Sequence, residues 1–426
     1  MQQLLPLVSL LLASFLLVFG NGVAGLLLPA RALAEGWGPD MVALMGASYA
    51  LFFTLACVLV PSLVGRVGHI RAFAALGTLT IASMLLHAME PTAWFWVLVR
   101  GMAGFSVAGA YMIIESWMNE ATTNENRGLA FSLYMAVSMG GLALGPFLVS
   151  FGDVGGFELF LWAALIYAVS TLPVTLTPAR APQPLARVSF DLGALYRNSP
   201  ASFVGSLLTG MVVGAWTSLF PVWGLGAGLG TAAIAVVLGV ANVGAMVLQL
   251  PVGRLSDRID RRTVMVGLAA VGAGIGLFAS TLPAGGTIFL ALMFLYGATV
   301  FGTYALNAAH ANDWARDVSF VTVASGLLVL YGIGSTIGPL LAGRAMALIG
   351  PSGFFVFLAT CHAAYAAFAL WRITRRGEAP REEQADFRPL PIARATTPQT
   401  FALDPRAEGG GAETWDAVDY GVAGEA

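Results

Sequence analysis

The sequence predicts an all-α membrane protein of twelve transmembrane helices arranged as two pseudo-symmetric six-helix bundles. Three observations carry this. Of 426 residues, 58% are hydrophobic and only 10% charged, against about 25% charged in soluble globular chains. Twelve apolar runs approach or exceed the length of about 20 residues that a helix needs to cross the hydrocarbon. The chain also resembles itself: at an offset of 193 positions, Gly104, Gly109, Tyr111, Asn119, Gly141, Gly145 and Pro146 fall on Gly297, Gly302, Tyr304, Asn312, Gly334, Gly338 and Pro339, and Glu120 falls on Asp313. A fixed internal offset marks a repeated unit. Lipid cannot satisfy backbone N–H and C=O groups, so runs of this length must be helices rather than strands. A water-soluble enzyme, a secreted domain and a nucleic-acid binder are excluded by the composition.

The first run covers 5–30 and is stopped by Arg31, the first basic residue. It lacks the positive start and short apolar core of a signal peptide and is expected to persist as a span. The next three runs, 41–64, 72–89 and 93–117, are separated by the Arg66 to Arg71 stretch and by Glu90 and Pro91. Runs 128–151 and 156–176 complete the first half. Residues 177–200, rich in Pro and Arg, form the longest polar interruption and divide the spans six and six. The second half reads 201–224, 231–252, 263–282, 287–309, 321–346 and 353–371. The expected organisation is therefore a bundle over 1–176, a linker over 177–200, a second bundle over 201–376 and a tail over 377–426.

Charge sets the direction. All 21 basic residues are Arg. With the N-terminus in the cytoplasm, fourteen Arg up to residue 376 lie in inside loops, and only Arg31 and Arg344 lie in outside ones. The positive-inside rule then places both termini in the cytoplasm of an inner-membrane protein, the summed bias outweighing Arg31 behind the first helix. The tail carries 4 Arg against 10 acids and loses apolar character. It is expected to be an acidic segment without fixed structure, with Trp415 and Tyr420 as the alternative of a docking peptide. Cys57 and Cys361 sit in apolar runs without metal-ligand spacing, so buried thiols are expected and no metal is implied. A phosphate-binding GxxxxGK[ST] loop needs a Lys and there is none, so neither ATP nor another cofactor is implied.

Several motifs sit at the span ends. Residues 253–262 read GRLSDRIDRR, 65–71 read GRVGHIR, 98–109 read LVRGMAGFSVAG and 140–147 read GGLALGPF. The first resembles the G-x-x-x-D-R-x-G-R-R loop of the major facilitator superfamily at Gly253, Asp257, Arg258, Arg261 and Arg262, with Asp260 in place of the usual Gly. The 98–109 stretch is similar to that family's fourth-helix motif at Arg100 and Gly104, and the 140–147 stretch to its fifth-helix Gly-Pro motif. RVGHIRAF (66–73) with ESWMN (115–119) is most similar to the YcaD-like branch. The resemblance covers residues 1–376 and implies the major facilitator fold, with a binding cavity between the bundles near the bilayer midplane.

The resemblance implies that Asp257 latches onto a helix N-terminus of the other half, where free N–H groups and the dipole favour an anion. Gly253 permits close approach, and Arg258, Arg261 and Arg262 are expected to pair with Asp313 or Asp317. The bland alternative is a topogenic basic loop. The first loop lacks the Asp. Glu115 lies about 33 Å along its helix, at the cytoplasmic edge, and a gate salt bridge with Arg66 or Arg71 is expected of it ahead of proton chemistry. Gly145 with Pro146 and Gly338 with Pro339 are expected to allow tight helix packing and a bend.

Arg100 is the sharpest candidate for the cavity. It lies about 10 Å into its helix, where an Arg must be paired or face water. It can bind an anionic group or switch partners; bonding to carbonyls or snorkelling is the structural alternative. Asn21, Asn242 and Gln249 either bond neighbouring helices or line the cavity. Trp216 and Tyr296 can stack on a solute, although a membrane aromatic is more often packing. His87 and His362 are better read as structural. The expected function is a monomeric secondary transporter and not an enzyme. It moves a small organic solute by alternating access, coupled to protons, with efflux favoured over import or uniport. A receptor or scaffold signalling through its tail is the competing class.

Overall fold

The computed structural model describes residues 5–123, 125–176, 191–315, 320–375 and, beyond these, Gln384, Phe387, Pro389, Leu390 and 396–404. The helices are α1 (Leu5–Ala34), α2 (Pro39–Val67), α3 (His69–Met89), α4 (Ala93–Ala121), α5 (Arg127–Leu148), α6 (Glu158–Leu176), α7 (Leu192–Asn198), α8 (Pro200–Gly226), α9 (Thr231–Arg258), α10 (Arg261–Ala279), α11 (Thr287–Phe301), α12 (Thr303–Asp313), α13 (Phe320–Ile349), α14 (Gly353–Ile373) and α15 (Pro398–Leu403). No strand occurs among the described residues. With α11 and α12 taken as one, twelve segments among the described residues are long and apolar enough to cross a membrane, and they match the twelve predicted runs within a few residues.

The helices outrun their apolar windows because polar residues at the ends stay in helical conformation. Asp257 and Arg258 therefore occupy the last turn of α9 rather than a loop. The turn proper is two residues long, and the Asp260 side chain caps α10 by accepting from the Arg262 N–H at 2.9 Å. Between α2 and α3 the chain reverses at Gly68, whose φ of +84° suits glycine. The tenth span is interrupted at Gly302, the position that aligns with Gly109 inside the unbroken α4.

The repeat seen in the sequence is a repeat of packing. A Cβ on Gly141 would lie 2.9 Å from the Phe15 carbonyl oxygen and 3.0 Å from the Phe19 nitrogen of α1. On Gly334 it would meet Leu207 and Met211 of α8 in the same way, 2.9 Å from the Met211 nitrogen. Gly145 likewise abuts Phe19 and Gly22, and Gly338 abuts Met211. Gly104 of α4 presses on the Tyr49 backbone of α2, and Gly297 of α11 on the Ala241 backbone of α9. Small residues at matched positions thus let α1 meet α5, α8 meet α13, and the α2/α4 and α9/α11 pairs close, as expected for helices that pack without a hydrophobic driving force.

The halves meet along α2 against α13 and α5 against α9. At the end of the bundle poor in Arg, Gly46 abuts Ser218, and a Cβ on Gly343 would fall 2.7 Å from that of Ala43. The exposed Arg344 and Asp40 face one another there at 3.9 Å. Also at this end, Arg31 bonds the carbonyls of Val154 at 3.2 Å and Gly156 at 3.3 Å, and Glu35 at 2.6 Å. This end is shut. At the Arg-rich end the mouth between α4 and α13 is filled by α15.

Candidate functional site: a cavity between the halves

A cavity of about 730 Å³ lies between the halves. Its walls come from α2 (Tyr49, Phe53, Thr54, Cys57), α4 (Arg100), α8 (Thr217, Ser218) and α13 (Ser325, Tyr331, Ser335), and Pro398 of α15 closes it from the Arg-rich side. The lining is apolar and hydroxylic with one cation. Arg100 is buried, and its guanidinium carbon sits 4.3 Å from the centre of the Tyr49 ring. Such stacking on a desolvated ring stabilises a cation by about 2 kcal/mol. The Tyr49 hydroxyl in turn donates to Asn21 Oδ1 at 3.2 Å.

A neighbouring cavity of about 380 Å³ gathers Asn21, Pro146, Trp216 and Asn242 from α1, α5, α8 and α9, and shares Thr217 with the first. Asn242 is buried there, and its Oδ1 has no hydrogen-bond partner among the described residues. Of the predicted pocket residues, Arg100, Asn21, Trp216 and Asn242 are therefore brought together. Tyr296 is not: it is buried against Trp216, ring centres 5.4 Å apart, and His362 at 5.7 Å. Gln249 is also elsewhere, its Nε2 donating to the Leu390 carbonyl at 3.1 Å. Trp216 stacks on Phe220 at 4.4 Å, so one face of its ring is packing. The two cysteines are free and buried, and Cys57 belongs to the cavity wall, a placement its apolar run did not disclose. His87 is structural, its Nδ1 2.5 Å from the Ser83 carbonyl.

The gate residues depart from expectation in three ways. First, Glu115 makes no pair with Arg66 or Arg71, which lie exposed. Its carboxylate is completely buried and accepts hydroxyl hydrogens from Tyr134 at 2.5 Å, Thr400 at 2.7 Å and Thr397. A turn and a half of helix beyond Glu115 keeps it inside the bundle rather than at its rim. Second, Asp257 does not cap a helix of the other half. It accepts from the Phe387 N–H at 2.9 Å and pairs with Arg261 at 3.1 Å. Gly253 does permit a close approach, but what approaches is the Phe387 ring. Third, the expectation of a tail without fixed structure does not hold over 396–404, which are seated in the protein; Trp415 and Tyr420 lie outside the described residues.

The expected pairing of the Arg cluster with Asp313 is found for Arg261, at 3.1 Å, with both side chains buried. Arg262 instead pairs with Asp260 at 2.8 Å, Arg258 is exposed, and Asp317 lies outside the described residues. Burial pushes the Asp260 carboxyl up, but the hydrogen bonds and charge of Arg262 outweigh it and hold the group below the usual carboxylate range. No cluster of His, Cys, Asp or Glu suited to a metal occurs among the described residues.

Two like six-helix halves around a cavity walled by both define an integral, multi-pass membrane protein of the secondary-transporter class, and not an enzyme. The chain belongs to the major facilitator superfamily, whose family model matches residues 10–313 and 232–404. Curated relatives of the YcaD type are similar to it over most of its length. An uncharacterized MFS-type transporter YcaD of Salmonella newport (strain SL254) is 25% identical over 360 residues, covering 83% of this chain and 92% of the relative. That of Salmonella arizonae is 26% identical over 364 residues with the same coverage. Among solved structures, the nucleoside transporter NupG superposes with a TM-score of 0.67 at 16% identity, over 87% of this chain and all of that one. A mutant of NupG gives 0.71 over 86% and 99%. At that identity the likeness concerns the fold alone.

Proposed function

We propose that the protein exports a small organic solute across the bacterial inner membrane in exchange for protons, working as a monomer by alternating access of its two halves. The observation that carries this reading is the composition of the cavity wall: α2 and α4 of one half and α8 and α13 of the other contribute to it in comparable measure. Rocking one half against the other would therefore expose the same groups at either end. Both termini lie in the cytoplasm on this reading, so the Arg-rich end is the inner one.

Arg100 and the Tyr49 ring bind the solute, with Asn21 and Asn242 in the adjoining space. The proton goes to Glu115. The Tyr134 hydroxyl from the same half can donate to a carboxylate and turn to accept from a carboxylic acid, so each protonation state keeps a partner within the N-terminal half. A guanidinium partner would allow only one. Purified protein in liposomes, assayed for uptake of candidate amphipathic solutes with and without an imposed pH gradient, tests the reading. Gradient-driven accumulation is expected, and flux indifferent to the gradient would remove the proton.

A further inference from the structure

The tail is held at the mouth of the cavity by contacts that its composition does not announce. Thr397 and Thr400 form a capping box on α15: the Thr397 N–H donates to Thr400 Oγ1 at 2.9 Å, and the Gln399 N–H to Thr397 Oγ1 at 3.2 Å. Each hydroxyl thus accepts within the box and spends its one hydrogen on Glu115, one per carboxylate oxygen. Thr397, Thr400, Phe401 and Leu403 are buried. The Phe401 ring meets Phe320 of α13 edge-on at 6.1 Å, while Glu115 belongs to α4. A six-residue helix therefore bridges the two halves, with Pro398 forming part of the cavity wall. Upstream, Leu390 and Phe387 are fastened to Gln249 and Asp257 of α9.

We propose that α15 with its flanking residues, 396–404, is a tethered blocker of the transport pathway, occupying the Arg-rich mouth of the cavity and satisfying Glu115 in place of the solute or proton that must reach it. The proposal rests on the reading of this cavity as the transport route. A ligand on a leash competes at an effective concentration in the millimolar range, so a bulk solute meets a site already filled. Displacement has a chemical condition as well. A buried carboxylate stripped of donors is costly, so whatever evicts α15 must bring hydroxyl or ammonium hydrogens to Glu115 or protonate it. While α15 sits between α4 and α13, the two halves cannot close at that end.

Cys57 lies in the cavity wall and supplies the test. In a Cys361→Ser background, the rate at which Cys57 of the purified full chain reacts with a charged methanethiosulfonate reagent reports access to the cavity. Thr397→Val with Thr400→Val removes both hydrogen bonds from α15 to the Glu115 carboxylate and is expected to raise that rate about tenfold or more. Deleting residues 384–426 is expected to raise it at least as far. Should the truncated chain fail to fold, the double Val variant, unchanged in length, decides alone. In a second background without native cysteines, Phe320→Cys with Phe401→Cys is expected to crosslink with a short bis-methanethiosulfonate reagent, which spans the space the two rings fill, and to be released by reductant. Equal labelling of the double Val variant and the full chain, or no crosslink in folded protein, would overturn the blocker. Labelling requires no transported solute, so its outcome is independent of whether the proposed transport is found.

Discussion

Thr400 donates its hydroxyl hydrogen to Glu115 Oε1 across 2.7 Å, although 285 positions separate the two residues in the chain. The same oxygen receives the Tyr134 hydroxyl from α5 at 2.5 Å. One buried carboxylate thereby joins two helices of the N-terminal half to the tail, and its state of protonation bears on all of them.

Glu115→Ala removes the acceptor and leaves the Tyr134 hydroxyl buried without it. A stability loss of about 1–3 kcal/mol is expected, read as a lower melting temperature in detergent. Glu115→Gln keeps the volume and one acceptor oxygen. On the proposed mechanism it retains solute exchange across liposomes and loses accumulation driven by a pH gradient; gradient-driven accumulation at the native level would show that the proton travels elsewhere.

Gly145→Ala and Gly338→Ala are expected to be equally harmful. The added methyl on Gly145 would fall 2.9 Å from the Gly22 Cα, and that on Gly338 2.5 Å from the Met211 Cα. Overpacking of this kind costs about 1–3 kcal/mol. Gly140→Ala, with nothing within 4 Å of the new methyl, serves as the control and should unfold with the native protein.

Arg100→Ala is expected to weaken binding of a solute carrying an anionic or hydrogen-bond-accepting group by tenfold or more, the loss of a charge-assisted hydrogen bond in a desolvated site, and to lower stability separately through the lost stacking on Tyr49. Arg100→Lys should not rescue it, because a compact ammonium cannot stack as the planar guanidinium does. Tyr49→Phe keeps the ring and gives up only the bond to Asn21, so its effect should be the smaller of the two. Equilibrium binding by calorimetry ranks the three.

Asp313→Asn removes one of the two carboxylates that hold Arg261, which is almost wholly buried. Breaking a buried pair costs about 3–5 kcal/mol, moderated here because Asp257 also bonds Arg261. Asp257→Asn, at a site partly open to solvent, should cost distinctly less. Thermal unfolding of the two variants side by side checks the order.

The Asp260 carboxyl is held low in the folded protein, so its stabilising effect is present above the ordinary carboxylate range and fades as pH falls through that range toward the folded value. Asp260→Asn should therefore lower the melting temperature near neutral pH, while the difference from native protein shrinks on acidification to about pH 3. A difference that stayed constant with pH would mean that Arg262 contributes nothing through charge.

What could be read in advance follows from the range of the forces involved. Membrane spans are dictated by local composition, and the glycines that seat α5 on α1 and α13 on α8 betray themselves because both halves need them at matched places. The Arg261–Asp313 pair was legible for a similar reason, since few acids lie near the Arg cluster. Nothing local distinguishes Thr397 and Thr400 from other hydroxyls in a polar tail, and their partner lies in another helix. Glu115 was misplaced because apolar windows end before the helix does. Asp257 has the residue type of a family latch, but the N–H it receives is that of Phe387, 130 positions away and beyond the last of the motifs read in the sequence.

The break at Gly302 has no counterpart in α4, which runs unbroken through Gly109. Around it, Thr299 and Thr303 turn their hydroxyls back onto the carbonyls of Tyr296 and Thr299, at 2.8 and 2.6 Å, so the helix can flex there without stranding a polar group. Gly302 itself keeps helical torsions, φ −79° and ψ −26°, and its N–H still donates to the Ala298 carbonyl at 2.9 Å, so the near-twins differ here by a local departure from regular helix within a continuous span.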